Sequence, residues 1–394
     1  MAARGLALWV VFFAAYAATL GLHLGAGERY SRDEAHVLMV AQSITSDGDV
    51  DLRDEYSSHA WTRWHGAPLH QSASLTNGRL VEPPGVGFAL LVSPAYALGG
   101  PVLVELFVAA LIALGFVAAA SLARVVAPEP WATRAALVGG LSPAAVGAAT
   151  TIGPELVGGA VLAMAAVLAL RVRAWPRVGP TFGAALLVAA LPWLALKLVL
   201  PAAVVTLSLW WWLRRRNRGI AGFTALEVVL VSGVVYITVN DRLFGGLTPY
   251  AANGDADPLG HASILDRVTR IAGVLVDPWS GVLLWAPFGA LALVSVWLLV
   301  RSYRERLSLV AYDQVDVESS SLLLTLICGA VLLVAIVASP SLDGPWYAAR
   351  DCLPALPCGA ALCAWGYRHF PRVGNALALV TLAGTVALLV LGRL

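Results

Sequence analysis

The sequence has few charged side chains for its length. Only 13% of its 394 residues are Asp, Glu, Lys or Arg, whereas about a quarter are charged in a typical soluble domain. Hydrophobic residues make up 59% of the chain, and the apolar runs are long enough to cross a hydrocarbon core of about 30 Å. This composition excludes an ordinary soluble protein and predicts a multi-span membrane protein.

Lysine and cysteine are also scarce. Lys197 is the only lysine, so arginine carries nearly all of the positive charge. The four cysteines, Cys328, Cys352, Cys358 and Cys363, match no zinc or disulfide spacing, and we interpret them as small apolar core residues. The sequence contains no G-x-x-x-x-G-K-[ST] loop and no glycine-rich strand-to-helix turn. We therefore expect neither nucleotide binding nor a nucleic-acid partner.

The apolar runs predict an all-α polytopic protein of about 11 transmembrane helices, forming a single domain over residues 1–394. The first run has no clear small-x-small cleavage site and is interpreted as an uncleaved span. Segment 85–98 is apolar but too short to cross a bilayer, which favours a re-entrant or interfacial piece. The predicted spans are 5–26, 101–123, 135–151, 154–170, 180–196, 197–213, 220–240, 279–300, 321–338, 352–367 and 374–391.

The arginines predict the orientation of these spans. With a cytoplasmic N-terminus, every inner connection is basic, as Arg171 and Arg173 illustrate after the fourth span. Three outer segments then lie on one side, at 27–100, 241–278 and 339–351. The first is the longest and most polar, so we expect any chemistry on the extracytoplasmic face.

The first outer loop carries two adjacent carboxylates, Asp33 and Glu34, where a short amphipathic run begins. A helix start explains them without catalysis, because Ser31 can cap the helix and acids favour the positive end of its dipole. A carboxylate at a membrane surface can also take a proton from a hydroxyl. The sequence leaves both interpretations open for this pair.

Three more charged residues fall near the outer ends of predicted spans. Glu155 is either a helix-start carboxylate or a second acid that faces the same cavity as Asp33. Lys197 lies in an apolar stretch, where an ionisable group costs about 3 kcal/mol or more, and it either has a function or snorkels to the interface. Arg350 either binds a phosphate bidentately or pairs with a carboxylate such as Asp351.

The histidines form no defined metal motif. His36 lies three residues after Asp33, on the same helical face. A site for a divalent cation such as Mg²⁺ or Mn²⁺ could combine these two residues with Glu155, but no spacing specifies one. The sequence therefore leaves the metal requirement open.

Several short motifs, in this order, resemble those of GT-C glycosyltransferases. The branch they resemble contains the protein O-mannosyltransferases and the lipid A aminoarabinose transferases. The motifs are Tyr30-x-x-Asp33-Glu34, Gly48-Asp49, Pro83-Pro84-Gly85, Thr151-x-Gly153-Pro154-Glu155, the block 276–287 and Trp346-Tyr347-Ala348-Ala349-Arg350-Asp351.

This resemblance implies an inverting glycosyltransferase of the bacterial plasma membrane. The donor would be a sugar linked to polyprenyl phosphate, and the acceptor a hydroxyl of a lipid, glycan or protein. By this resemblance Asp33 is the general base, and Glu34 and Glu155 are supporting acids. Lys197 and Arg350 would stabilise the leaving phosphate.

Four residues are weaker substrate-binding candidates on the same resemblance: Tyr30, His36, Glu82 and Tyr347. Glu82 departs from the pattern, since relatives often have Lys or His at this position. The departure puts a donor-phosphate contact at this place in doubt, and the positive charge would then come from Lys197 or Arg350.

Two other classes of protein share this architecture. A transporter or flippase of a lipid-linked sugar predicts charges at the bilayer midplane and an internal repeat, and the sequence shows no such repeat. An oligosaccharide polymerase or ligase depends on arginines and histidine in a late outer loop, whereas the late loop here is short and holds only Arg350.

Overall fold

The computed structural model describes residues 2–21, 29–71, 73, 75–83, 85–215, 219–252, 264–277, 281–305, 312–338 and 350–391. Within these ranges the chain is helical, with a single isolated bridge between Thr76 and Arg79 and no β-strand. The helices are α1 Ala2–Thr19, α2 Arg32–Ser46, α3 Arg53–Ser57, α4 Val86–Val126, α5 Trp131–Gly140, α6 Pro143–Ala149, α7 Pro154–Ala174, α8 Val178–Leu194, α9 Val199–Arg215, α10 Gly219–Phe244, α11 Ile264–Val276, α12 Val282–Trp285, α13 Ala290–Glu305, α14 Tyr312–Ala338, α15 Leu356–His369 and α16 Pro371–Val390.

The helices confirm the prediction of an all-α membrane fold. Among the described residues, 6 helices are long and apolar enough to cross a bilayer. Shorter apolar helices, at Ala3–Thr19, Val178–Leu194 and Pro287–Ser302, coincide with further predicted spans. The count of about 11 transmembrane helices stays a prediction.

Two predicted spans are broken by local sequence signals. The span predicted over 135–151 consists of α5 and α6, because Ser142 caps α6 by accepting a hydrogen bond from the Ala145 N–H at 3.4 Å, with Pro143 at the first helical position. The span predicted over 279–300 is interrupted by a 3₁₀ turn at Pro287–Gly289 before α13 begins. The prediction of a continuous helix was therefore wrong at both places.

Helix α4 contains a sharp break at Gly99 and Gly100. Gly100 has φ 64°, a left-handed conformation that glycine adopts without a steric penalty. The break separates the short segment that begins at Val86 from the following span, as the sequence boundary at 101 predicted. A re-entrant or interfacial position of this segment stays a prediction.

Helix α2, the amphipathic helix predicted in the first outer loop, is more buried than its sequence pattern indicates. Its residues are buried from Glu34 to Ala41, and it packs against α4. The N-terminal end of α2 therefore has a fixed position relative to the transmembrane helices.

Helix α7 provides the surface on which the candidate site is assembled. Glu155 lies in its first turn, and Gly158 and Gly159 follow at the i+3 and i+4 positions, on the same face. A Cβ at Gly159 would lie 2.8 Å from the Pro354 carbonyl oxygen, and a Cβ at Gly158 would collide with the Leu198 side chain. The missing side chains allow two 3₁₀ turns, Leu196–Leu198 and Arg350–Ala355, to lie close against α7.

Candidate active site

Glu155 is at the centre of a set of charged side chains near the start of α7. The Lys197 ammonium and the Arg350 Nε each donate to Glu155 Oε1 at 3.0 Å. Arg350 also contacts Asp33, with 2.7 Å between Nη1 and Oδ2, and Lys197 Nζ lies 3.4 Å from Asp351 Oδ1. These five residues, Asp33, Glu155, Lys197, Arg350 and Asp351, are called the ionic cluster below.

The ionic cluster combines segments that are far apart in the sequence. Asp33 comes from α2, Glu155 from α7, and Lys197 and Arg350 from the two 3₁₀ turns that the glycines of α7 admit. Sequence analysis identified four of the five members as candidates. It named Asp351 only as a partner for Arg350, because no local pattern shows that Lys197 reaches it.

Burial divides the cluster into an inner and an outer part. The Glu155 side chain is only 5% exposed, whereas that of Asp33 is 54% exposed. The inner carboxylate therefore holds two cations in low-dielectric surroundings, where a charge needs such partners. The outer carboxylate, Asp33, contacts the same arginine and is the most exposed acid of the cluster, since the Asp351 side chain is 28% exposed.

The Glu34 side chain makes structural hydrogen bonds at the start of α2. It forms a capping box with Ser31: the Glu34 Oε2 accepts the Ser31 N–H at 2.8 Å, and the Glu34 N–H donates to the Ser31 hydroxyl at 3.4 Å. Its other oxygen accepts the Ile152 N–H at 2.8 Å. Glu34 thus connects the start of α2 to the segment that leads into α7. The spacing Ser31-x-x-Glu34 indicates the capping box but not the contact with Ile152.

A buried hydrogen-bonded chain supports α2 one turn further on. The Tyr56 hydroxyl donates to Glu82 Oε1 at 3.0 Å and lies 3.2 Å from His36 Nε2. Because the hydroxyl has one proton, His36 is the donor in the second contact. Burial lowers the pKa of His36 against the opposing effect of Glu82, and burial followed by the nearby Glu82 raises the pKa of Tyr56.

The weaker substrate-binding candidates thus lie mostly in the interior. His36 and Glu82 are buried, at 5% and 2% exposed. Tyr30 is 2% exposed, and burial followed by the adjacent Glu105 raises the pKa of its hydroxyl. Tyr347 lies outside the described residues. Tyr56 was missed by sequence reasoning, because a single tyrosine in a polar loop carries no recognisable signal.

The metal site considered from sequence, with Asp33, His36 and Glu155, is not assembled in the described part of the chain. His36 contacts Tyr56, and the two carboxylates share Arg350. Among the described residues, the group of three that could hold a metal ion is Asp47, Asp54 and Glu55, at the opposite end of α2.

Comparison with known proteins finds the same architecture in two solved structures of ArnT from Cupriavidus metallidurans. The apo structure matches with a TM-score of 0.57 and 16% identity over 96% of this chain. The structure bound to undecaprenyl phosphate matches with a TM-score of 0.58 and 14% identity over 98% of this chain. No family model matches, and no curated protein matches.

This chain spans less than two thirds of the ArnT chain, covering 62% and 64% of it in the two structures. The match nevertheless includes nearly all of this chain, 96% and 98% of it in the two comparisons. The described part of the chain therefore has the same helical fold as the two ArnT structures.

Proposed function

We propose that this protein is an inverting GT-C glycosyltransferase that transfers a sugar from a polyprenyl-phosphate-linked donor to an acceptor hydroxyl. The reaction takes place on the extracytoplasmic face of a bacterial plasma membrane. The ionic cluster is the observation on which the proposal rests, because it places an accessible carboxylate beside an arginine and a lysine, side chains that can bind a phosphate. The fold it shares with a structure bound to undecaprenyl phosphate supports the choice of donor.

Asp33 acts as the general base. The acceptor oxygen attacks the anomeric carbon from the face opposite the phosphate, and its proton passes to the Asp33 carboxylate. The bond between the anomeric carbon and the phosphate oxygen breaks, and the phosphate leaves with the electron pair. The polyprenyl phosphate leaves without protonation, so no general acid is required.

Arg350 and Lys197 stabilise the charge that develops on the leaving phosphate. Arginine suits this task, since its planar guanidinium can bind two phosphate oxygens at once. Donor binding replaces the Asp33 carboxylate on Arg350 by the phosphate, and this exchange frees Asp33 to face the acceptor. The ion pair at 2.7 Å is therefore the resting state of the base.

Glu155 and Glu34 act as supporting acids. Glu155 accepts hydrogen bonds from both cations through one oxygen and so fixes the distance between them. Glu34 sets the position of Asp33, because its contact with the Ile152 N–H connects α2 with the segment before α7. Neither residue contacts the reacting atoms in this proposal.

The test is a transfer assay with the purified full-length chain in detergent. The assay offers a panel of polyprenyl-phosphate sugars, with and without a chelator, and separates the products by mass. We expect one donor to be consumed, and we expect Asp33→Asn to lower the rate by about 10²–10⁴-fold, the usual contribution of general base catalysis.

Asp241→Asn is the matched control, since it removes the same charge from an exposed position on α10. This variant should transfer at the wild-type rate. Normal transfer by Asp33→Asn in folded protein would remove the base assignment. Vesicle uptake of an intact lipid-linked sugar, without any transfer, would identify a transporter instead.

A further inference from the structure

A second group of carboxylates lies at the C-terminal end of α2, away from the ionic cluster. Asp47 is the C-cap residue of α2, and Asp54 and Glu55 lie in the first turn of α3. One carboxylate oxygen from each of the three lies within 4.8 Å of the others. Asp33 and Asp47 lie at opposite ends of α2, whose 15 residues span roughly 20 Å at the usual helical rise.

Glu55 is the residue that calls for an explanation. It is only 3% exposed, and in the structure neither of its carboxylate oxygens has a hydrogen-bond partner among the described residues. A buried carboxylate without a partner is costly, and it normally pairs with a cation or binds a metal. Asp47 and Asp54 lie beside it and add negative charge, which a bound cation would offset.

The surrounding loop supplies little positive charge to the three acids, since its one arginine is shared between Asp51 and Asp54. Arg53 is the only basic residue between positions 47 and 58, and it pairs with Asp51 at 2.7 Å. Asp49 is also engaged: its Oδ1 accepts the Ser43 hydroxyl at 3.1 Å and the Asp51 N–H at 3.0 Å. The C-terminal end of α2 adds the negative end of a helix dipole to the same place.

We propose that Asp47, Asp54 and Glu55 bind a calcium ion. Three carboxylates without nitrogen or sulfur donors favour a hard cation. Calcium accepts irregular oxygen sets completed by water, whereas magnesium requires a near-octahedral arrangement. Two of the three side chains are exposed, so water can complete the coordination. The ion joins α2 to α3 and so steadies the first outer loop.

Calcium binding to the full-length chain in detergent, after removal of divalent ions with a chelator, tests the proposal. Titration calorimetry with calcium alone should show one saturable site per chain. We expect a dissociation constant of about 10⁻⁴–10⁻³ M, typical of extracellular calcium modules. Calcium should also raise the thermal unfolding midpoint, and neither measurement depends on the transferase activity.

Two variants separate ligation from general attraction to a negative loop. Glu55→Gln should weaken calcium binding by about 10–100-fold, the range found for residues that support a metal site. Asp49→Asn removes the same charge from the same loop while keeping an oxygen for Ser43 and Asp51, and it should bind calcium as the wild type does. If Glu55→Gln does not fold, Asp54→Asn provides the same test, because Asp54 is an exposed residue of the same site.

Three outcomes would overturn the proposal. One is the absence of saturable binding at calcium concentrations up to about 10⁻² M, ten times the weakest dissociation constant expected. Another is equal weakening by Glu55→Gln and Asp49→Asn, which would indicate diffuse attraction only. The third is tighter binding of magnesium than of calcium, which would contradict the choice of ion.

Discussion

Arg350 contacts carboxylates from two distant parts of the chain, Asp33 on α2 and Glu155 on α7. A guanidinium can hold both because its five N–H donors point in fixed, different directions. Lys197 has a different role, since a compact ammonium on a flexible stem adjusts to the fixed Glu155 and to Asp351. At this scale the site depends on matching each buried charge with a partner.

Replacement of Lys197 by methionine tests this matching. The change removes one of the two cations on the buried Glu155, and we expect the free energy of unfolding to fall by about 3 kcal/mol, as when a buried ion pair loses one partner. Unfolding in detergent measures the effect. The double variant Glu155→Gln with Lys197→Met should recover part of the loss, because the unpaired charge is then gone. Additive losses from the two changes would contradict direct coupling.

The lowered pKa of His36 predicts that the stability of the folded protein depends on pH. Burial lowers its pKa in the folded protein, so the unfolded chain binds more protons between that lowered value and the ordinary value of about 6.5. Stability should therefore decrease as the pH falls through this window, and level off below the lowered pKa. The charged and titratable groups that act on His36 are Glu82, Arg32, Asp33 and His65, and Tyr56 shares its hydrogen bond.

Thermal unfolding midpoints between about pH 5 and 8, where histidine changes charge, measure this dependence. His36→Gln keeps a side chain that can hydrogen-bond to Tyr56 but does not titrate in this range. Its midpoint should therefore change less over the window than that of the wild type. Parallel curves for the two proteins would show that other groups produce the dependence.

Sequence could identify the charges of the site but could not assign their roles. Asp33 and Glu34 are neighbours with the same chemistry, and successive helical residues point in directions about 100° apart. Asp33 is the exposed acid that contacts Arg350. Glu34 is buried, caps α2 and accepts a hydrogen bond from the Ile152 N–H. Only the tertiary contacts of α2 decide between them, and the partners Ile152 and Arg350 lie more than 100 positions away in the sequence.

At the scale of the element, α7 determines the geometry of the cluster through its glycines. Gly158 and Gly159 let the turns with Lys197 and Arg350 approach the helix that carries Glu155. Glycine in a helix interior costs about 1 kcal/mol relative to alanine. The close approach that glycine permits at these two positions offsets that cost.

Gly159→Ala tests the contribution of this close approach. The added methyl group would meet the Pro354 backbone, which cannot rotate away as a flexible side chain can. We expect a loss of about 1–3 kcal/mol in stability from overpacking, together with slower transfer because Arg350 moves relative to Glu155.

Gly233→Ala is the control, because at this helical glycine of α10 an added methyl group would meet no other atom within 4 Å. It should leave stability unchanged or raise it slightly. Equal effects of the two alanines would mean that space beside Pro354 has no importance for the site.

Helix existence was easier to predict than helix continuity. Apolar length indicates a span well, and it located most of the long helices. It overlooked the interruptions at Ser142 and Pro287, where a cap or a proline ends a helix inside an apolar run. Such signals are local and short, and a hydrophobicity average over a span conceals them.

At the scale of the whole molecule, the fold is shared with the ArnT structure although only 16% of the residues are identical. The physical reason is that lipid-facing positions require only an apolar side chain, so many different sequences can form the same helix bundle. Charges are far more restricted, because each one inside the membrane needs a partner. The order of motifs along the chain was therefore a better guide to the fold than any single motif.

In the proposed mechanism, donor phosphate replaces Asp33 on Arg350. The most direct test measures undecaprenyl phosphate binding and sugar transfer on the same preparations of wild type, Asp33→Asn and Arg350→Gln. We predict that Asp33→Asn loses transfer but binds the lipid at least as tightly as the wild type, since the competing carboxylate charge is gone, and that Arg350→Gln binds weakly. Lost lipid binding in Asp33→Asn, or wild-type binding in Arg350→Gln, would contradict this exchange on Arg350.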